Sequence, residues 1–438
     1  MKTSLVLFLI LFTALRSFSQ VSLILYNLSR SVPQSSQLNP ALQPDGKFFI
    51  GLPVISGVAM SWKSDLAMTD FVQRGPDDSM HISLNRFTRN LRKNERIRLD
   101  ADISLLQVGF RAAGGYFIVD AGLKNSAGFS LSRNTLELLT LGNGADGILG
   151  KKIDLRKEQQ DAISYYKIGL GYSRTFLSGK ITGGARVNIL RGIIALTLDA
   201  RKAGYLYTNP ESYYITLDAG NMKYNTSGYE SYLNGSFNTS KLNGFSNMGV
   251  GMDLGAVWNV NDHWKISGSL TDLGAIYWNS DTRNYSLHQK SYVFQGIQVD
   301  ALNNFNNFSD SLNAIFKPDT SYNNFKTTLK SKLYLQSSFD FGKGNQVSLI
   351  SRNIFYRNGI VNTTMVSYHK RVGRALDCSV GYSVFDLRYS QFGAGFAVNL
   401  GGVNLYLVSD NMLAFFHPEN NHSADFVFGI NVNFLGPR

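Results

Sequence analysis

The chain has 438 residues, of which 44% are hydrophobic and only 17% charged, with 41 Gly against 9 Pro. Its 22 Tyr, 29 Phe and 4 Trp exclude a disordered chain, and Cys378, the lone cysteine, excludes a disulfide framework and a multi-thiolate zinc site. Length alone suggests about three domains, but 43 Lys+Arg against 31 Asp+Glu, a formal +12, is too little charge to dress a soluble surface of that size.

In chain order, Met1–Ser4 is a short positive segment and Leu5–Leu15 an apolar run of leader length, followed by Ser17-Phe18-Ser19. This predicts a signal peptide over 1–19 and an exported mature chain. With Lys2 and Arg16 removed, 41 basic residues face 31 acidic ones, a net +10 spread too thinly for nucleic-acid binding. Beyond the leader there is no apolar run of about 18 residues, so no helical membrane span is expected.

The mature chain alternates instead. Tyr166, Ile168, Leu170 and Tyr172 oppose Lys167, Gly169, Gly171 and Ser173. The same split recurs over 248–259, 376–384, 392–400 and 426–434, where Phe426, Phe428, Ile430, Val432 and Phe434 oppose small or polar residues. Period two is the strand signal. A soluble sandwich would carry Lys, Glu and Thr on its polar face, whereas here that face is Gly, Ser and Asn and the apolar face ends in aromatics, the pattern of a transmembrane barrel.

The predicted strands are 47–62, 101–112, 114–124, 161–177, 180–191, 245–260, 263–275, 326–341, 345–356, 359–371, 374–385, 388–400, 402–409 and 425–435. The expected fold is all-β: one transmembrane antiparallel barrel of about fourteen strands over 47–438, preceded by an N-terminal segment over 20–46. The connections sort by parity. Those after even strands are short turns; the long ones, 63–100, 125–160, 192–244, 276–325 and 410–424, all follow odd strands. That asymmetry places both termini in the periplasm, the long loops outside and the protein in the outer membrane of a Gram-negative cell.

Ser36-Gln37-Leu38-Asn39-Pro40-Ala41, the Gly-rich strand that starts at Lys47, Asp272–Trp278 and Ser409-Asp410-Asn411 resemble Bacteroidota outer-membrane barrels catalogued as a domain of unknown function. That group is distantly similar to FadL-type transporters and to the PorV and PorP/SprF proteins of secretion and gliding. The resemblance covers essentially the whole mature chain on short motifs. It implies that residues 21–46 fold into the lumen as a plug, with Asn39, Pro40 and Ala41 as its turn; the local alternative is that Asn39-Pro40 merely opens a turn before the first strand.

Candidate functional residues fall in several groups. Alternation points Lys167, Arg186, Asp253, Asp340 and Asp377 into the lumen, either as a latch for the plug or as a mutually paired interior. Arg86, Arg89, Arg92, Lys93, Arg96 and Arg98 form a basic outer loop, four of them at helical spacing, suited to lipopolysaccharide phosphates or to an acidic partner, or else simply a solvated charged helix. Leu302, Phe305, Phe308, Leu312 and Phe316 form an apolar stripe that predicts an amphipathic loop helix packing over the barrel or gating it. Asn411–Phe416 is an apolar loop tip. His417, Glu419 and His422 are the weak candidate for a metal site; no cofactor is expected. Ser367 and His369 share one strand face, the pair that a barrel phospholipase would need on its lipid-facing wall.

Three functions are therefore carried forward. The first is a non-enzymatic accessory or scaffold barrel in envelope assembly, secretion or surface organisation, in contact with outer-membrane lipid, lipopolysaccharide and other envelope or secretion proteins. The second is a FadL-like passage for hydrophobic small molecules, and the third an outer-membrane hydrolase.

Overall fold

Period-two alternation in sequence becomes a wall with two faces. In the computed structural model, which describes residues 22–75, 79–233, 245–287, 291–295, 318–356, 359–386 and 389–434, fourteen antiparallel strands close on themselves. They are β1 (Phe48–Gly51, continued by Val58–Ser64), β2 (Asn94–Ala112), β3 (Gly115–Ser132), β4 (Gln159–Phe176), β5 (Ile181–Asp199), β6 (Met248–Asn259) and β7 (Trp264–Trp278). Then come β8 (Lys332–Gly342), β9 (Asn345–Tyr356), β10 (Gly359–Val372), β11 (Leu376–Phe385), β12 (Tyr389–Leu400), β13 (Val403–Ser409) and β14 (Ser423–Phe434). β14 closes on β1, with Phe48 opposite Phe434 and Val58 opposite Phe428. Leu170, Ile189, Val250, Leu349 and Tyr382 point out and are exposed, while Asp120, Lys167, Arg186, Asn404 and Asn431 point in and are buried. No helix among the described residues is long and apolar enough to cross a membrane.

The short turns form one rim, called lower here. Ala113-Gly114 has φ of +49° and +70°, the left-handed pair that a two-residue hairpin needs to match strand twist, and Gly401-Gly402 has +56° and +107°. At the upper end the strand boundaries depart from expectation. β2 to β5 run for 19, 18, 18 and 19 residues, far beyond the roughly 9–11 that cross a bilayer. Residues 94–100 and 125–132, expected as loop, are therefore strand. They pair with each other (Arg98 opposite Gly128), and backbone pairing outweighs their polar composition. Lys223–Ser227 extends this wall by pairing with β5 and with Thr282–Leu287, and above it Lys152–Asp154, Tyr205–Thr208, Ile215–Asp218 and Ser291–Phe294 form a separate four-stranded sheet. β9 to β12 stop lower, so the upper rim is stepped.

Several strands are irregular where the sequence suggested continuity, and the breaks in β1, β2 and β7 bear on the interior. β1 breaks at 52–57, where Pro53 has no N–H to give the ladder and Ser56 turns fully inward. β2 bulges between Ser104 and Leu106, which reverses the inward parity of everything above. β7 bulges opposite Asp253, with Asp272 at φ +57°, and above that point it pairs with Phe325–Thr328, which Leu329–Ser331 separates from β8.

Residues 1–19, expected as the signal peptide, lie outside the described residues. So do Leu302, Phe305, Phe308, Leu312 and Phe316, the expected loop helix.

Candidate functional site

Residues 22–45 lie against the inward faces of strands all round the barrel, and most of them are buried. The segment carries one helical turn, Ile24–Asn27, and a 3-10 turn, Pro33–Gln37. Near the upper end of β13, Asp410 accepts hydrogen bonds from Ser22 Oγ (2.5 Å) and from the N–H groups of Leu23 (3.0 Å) and Ile24 (3.2 Å). Those are the donors that the start of a helical turn leaves without intrahelical partners. Asn27 Nδ2 donates to Ser367 and Ser379, both at 2.9 Å, and Ser31 donates to Asp377. Gln34 and Asn431 exchange amide hydrogen bonds at 2.7 and 3.0 Å. Arg186 donates to Ser36 at 3.2 Å, and at the lower rim Arg111 donates to the Pro44 carbonyl at 2.9 Å. Between these polar anchors Leu23, Ile24, Leu25, Leu28 and Leu38 share an apolar cluster with Ile350, Met365 and Val408.

Asn39 does more than open a turn. Its Oδ1 accepts the Ala41 N–H at 2.9 Å, while its Nδ2 donates to Tyr26 Oη (2.9 Å) and to the carbonyls of Ala256 and Gly268 (both 3.3 Å). The wall here is floored with glycine: a Cβ on Gly255 would stand 1.9 Å from Asn39 Oδ1, and one on Gly184 would stand 2.5 Å from the Pro40 carbonyl group. Gly184 and Gly255 are register partners on β5 and β6. Asn39, Pro40 and Ala41 thus sit in a niche that side chains would fill.

The lumenal charges are paired. Lys167 Nζ is 3.4 Å from Asp253 and 3.9 Å from Asp272; Arg186 Nε is 3.1 Å from Asp120, and its Nη1 is 3.7 Å from Asp253. Lys332 meets Asp272 at 2.8 Å, Lys124 meets Asp102 at 2.6 Å and Lys330 meets Asp161 at 2.6 Å. Five cations face five carboxylates, and the cavity beside them, lined by Leu25, Gln34, Asp120, Lys124, Lys167 and Tyr406 among others, holds about 20 Å³, room for about one water. Asp377 faces inward as expected, with His369 Nε2 2.9 Å away. Asp340 keeps the inward parity of Tyr334, Gln336 and Ser338 but stands at the lower rim, where it is exposed, its carboxylate accepting the Gly342 N–H at 2.6 Å.

Sequence reasoning missed Asp102, Asp120, Lys124, Asp272, Lys330, Lys332 and Asp410. Asp120 and Lys124 share the inward parity of their strand and were within its reach. Asp102 was not, because the β2 bulge reverses parity, and Asp272 acts from the β7 bulge.

The basic outer loop is a loop only in part. Ser83 caps a helix at Leu84–Asn90 that carries Arg86 and Arg89 into solvent; it ends before Arg92, so the expected helical face does not form. Lys93 is exposed, whereas Arg92 stacks over Tyr389 (4.8 Å), Arg96 pairs with Asp65 (2.7 Å) and with Asp386, and Arg98 covers Tyr356 (4.2 Å). Of the weak metal candidates, His417 and Glu419 approach to 3.5 Å, but His422 stacks on Tyr389 with ring centroids 4.0 Å apart. No group of three potential ligands forms among the described residues. Ser367 and His369 face the lumen, not lipid, because odd positions of β10 point inward. Leu413, Phe415 and Phe416 at the loop tip are exposed.

Residues 40–410 match the family described as a family of unknown function, DUF5723. The chain belongs to that family. No curated protein matches it. Among solved structures it is similar to the Ralstonia pickettii toluene transporter TbuX, at 10% identity over 92% of this chain and 94% of that one, with a TM-score of 0.43. It is also similar to a Pseudomonas aeruginosa FadL homologue, at 10% identity over 96% and 100% of the two chains, with a TM-score of 0.41. The P. putida toluene transporter TodX is 9% identical over 93% and 94%, with a TM-score of 0.41.

Proposed function

We propose that this member of the family of unknown function is a non-enzymatic outer-membrane barrel that residues 22–46 close, and that it works as an accessory or scaffold protein of the cell envelope. What supports this reading is that residues 22–45 hydrogen-bond to inward-facing side chains of several strands, and that the interior charges pair with one another. A conducting pore usually keeps an open, single-sign lining. The tall wall of β2–β5, which projects past the hydrocarbon, supplies the surface for partners, and the exposed Arg86, Arg89 and Lys93 suit phosphates or acidic groups. Planar-bilayer recordings test closure: the full-length mature protein stays silent, a version lacking residues 21–46 conducts, and silence in both sinks the reading. Co-purification in mild detergent tests the scaffold role, for which a stoichiometric envelope partner is expected.

A second reading, passage of hydrophobic small molecules, is favoured by the apolar seam of the segment. Leu23, Ile24, Leu25 and Leu28 are held against Met365 and Val408 by contact, so a segment that swung aside would leave an apolar lining. Saturable uptake of a fatty acid or aromatic compound with no partner would favour this reading over the scaffold.

A further inference from the structure

We infer that Lys343, Lys370 and Arg374, on neighbouring turns of the lower rim, form a binding site for the phosphodiester headgroup of an anionic phospholipid. This rests on the reading that the barrel spans the outer membrane with its lower rim at the periplasmic leaflet, and it is independent of what residues 22–45 do. Even positions of β10 face outward: Val366 and Tyr368 are 56% and 43% exposed, and Lys370 follows on the same face. Phe341 on β8 is exposed as well, and Lys343 stands two residues further toward the rim, in the turn before β9. On both strands an outward aromatic is thus followed by a cation. Aromatic rings gather at the boundary of the hydrocarbon, which puts a cation one step beyond them at the level of the phosphates.

The parts are fixed to one another. Tyr368 Oη donates to Asn345 Oδ1 at 2.7 Å, and Lys370 Nζ donates to the same oxygen at 2.9 Å and to the Lys343 carbonyl at 3.1 Å. Asn345 is the register partner of Lys370, and its Nδ2 donates back to the Gly342 carbonyl at 2.8 Å, so β10 holds the β8–β9 turn in place. An ammonium group has three donors; two are engaged here and the third is left for a ligand. Arg374, exposed in the turn after β10, lies about 10 Å further along the rim, two strand spacings away. None of the three cations pairs with a carboxylate among the described residues: Asp340 accepts the Gly342 N–H, and Asp377 faces the lumen beside His369 and Arg371. A headgroup phosphate that carries no cation of its own supplies the missing charge. Lys370 shares the lipid-facing side of the wall with Tyr368, which favours a lipid over an acidic protein approaching from below.

Fluorescence quenching by brominated lipids tests this on the whole barrel in phosphatidylcholine bilayers. The reporter is Val347→Trp, at an outward position paired with Tyr368, combined with Trp62→Phe, Trp258→Phe and Trp264→Phe. Trp278 is buried inside the wall and stays dark to lipid. Brominated phosphatidylglycerol is expected to be preferred over brominated phosphatidylcholine by about fivefold next to this reporter, as clustered cations at a membrane surface dictate. Lys343→Gln, Lys370→Gln and Arg374→Gln together bring that preference to near unity. Salt at about 1 M does the same by screening and needs no variant that has to fold. Lys47→Gln, Arg174→Gln and Lys180→Gln, at exposed positions elsewhere on the rim, leave the preference in place. Equal loss in both triple variants, or a preference that survives salt, overturns the site. Equal quenching by the two lipids in the wild type also overturns it, and leaves an acidic protein as the partner of these cations. Quenching by neither lipid overturns the membrane reading and the site with it.

Discussion

Asn39 Oδ1 stands 1.9 Å from where a Cβ on Gly255 would be. The N-terminal segment and the barrel wall are therefore fitted to each other at one point, and the fit depends on a missing methyl group. Gly255→Ala is expected to push Asn39 and Pro40 out of their niche, at a cost of about 1–3 kcal/mol for overpacking. Urea unfolding in detergent reads the cost, and faster alkylation of a cysteine at Ser36 reads the displacement. Gly179, at the lower turn with nothing within 4 Å of its Cβ position but a φ of +94°, is the contrasting case. Gly179→Ala strains the turn without disturbing residue 36.

Asp410 serves the segment rather than the wall. Asp410→Ala removes the acceptor for Ser22, Leu23 and Ile24 and should cost about 1–3 kcal/mol locally. Hydrogen–deuterium exchange is expected to speed up over residues 22–28 and to stay unchanged in β2–β5. Equal acceleration throughout would show that the carboxylate supports the barrel as a whole.

Arg186 is buried between Asp120 and Asp253. Arg186→Met leaves a buried carboxylate unpaired, for which about 3–5 kcal/mol of destabilisation is expected. Replacing both Arg186 and Asp120 by apolar residues recovers part of the loss. Arg156, whose pair with Asp154 is solvent-exposed, should tolerate the same change with little effect on the unfolding midpoint.

His422 lies in the loop before β14, where burial against Tyr389 holds its imidazole pKa below the ordinary histidine value. A histidine kept neutral by the fold contributes stability above its unfolded pKa, near 6.5, and that contribution is lost as pH falls below it. Exchange over residues 410–422 should therefore quicken between pH 7.5 and 5. In His422→Gln that pH dependence should vanish.

The sequence alone determined the wall. Side chains of a strand alternate by geometry, so a chain that must show lipid one face and a lumen the other writes that requirement locally, every second residue. Strand number, the parity of long and short connections and the inward aim of Lys167, Arg186, Asp253 and Asp377 were all legible for that reason. Tertiary structure decided which strands residues 22–45 touch and where the alternation fails. A bulge adds one residue with no compositional mark and reverses every side chain above it, which hid Asp102 on β2 and turned Asp272 into a partner of Lys332. The upper halves of β2 to β5 are held by each other's backbones above the hydrocarbon, where composition no longer has to alternate. The partnership of Asn39 with Gly255, of Pro40 with Gly184, and of Ser22 with Asp410 joins positions up to 388 residues apart. Such contacts join residues far apart in the chain, and no local pattern records them.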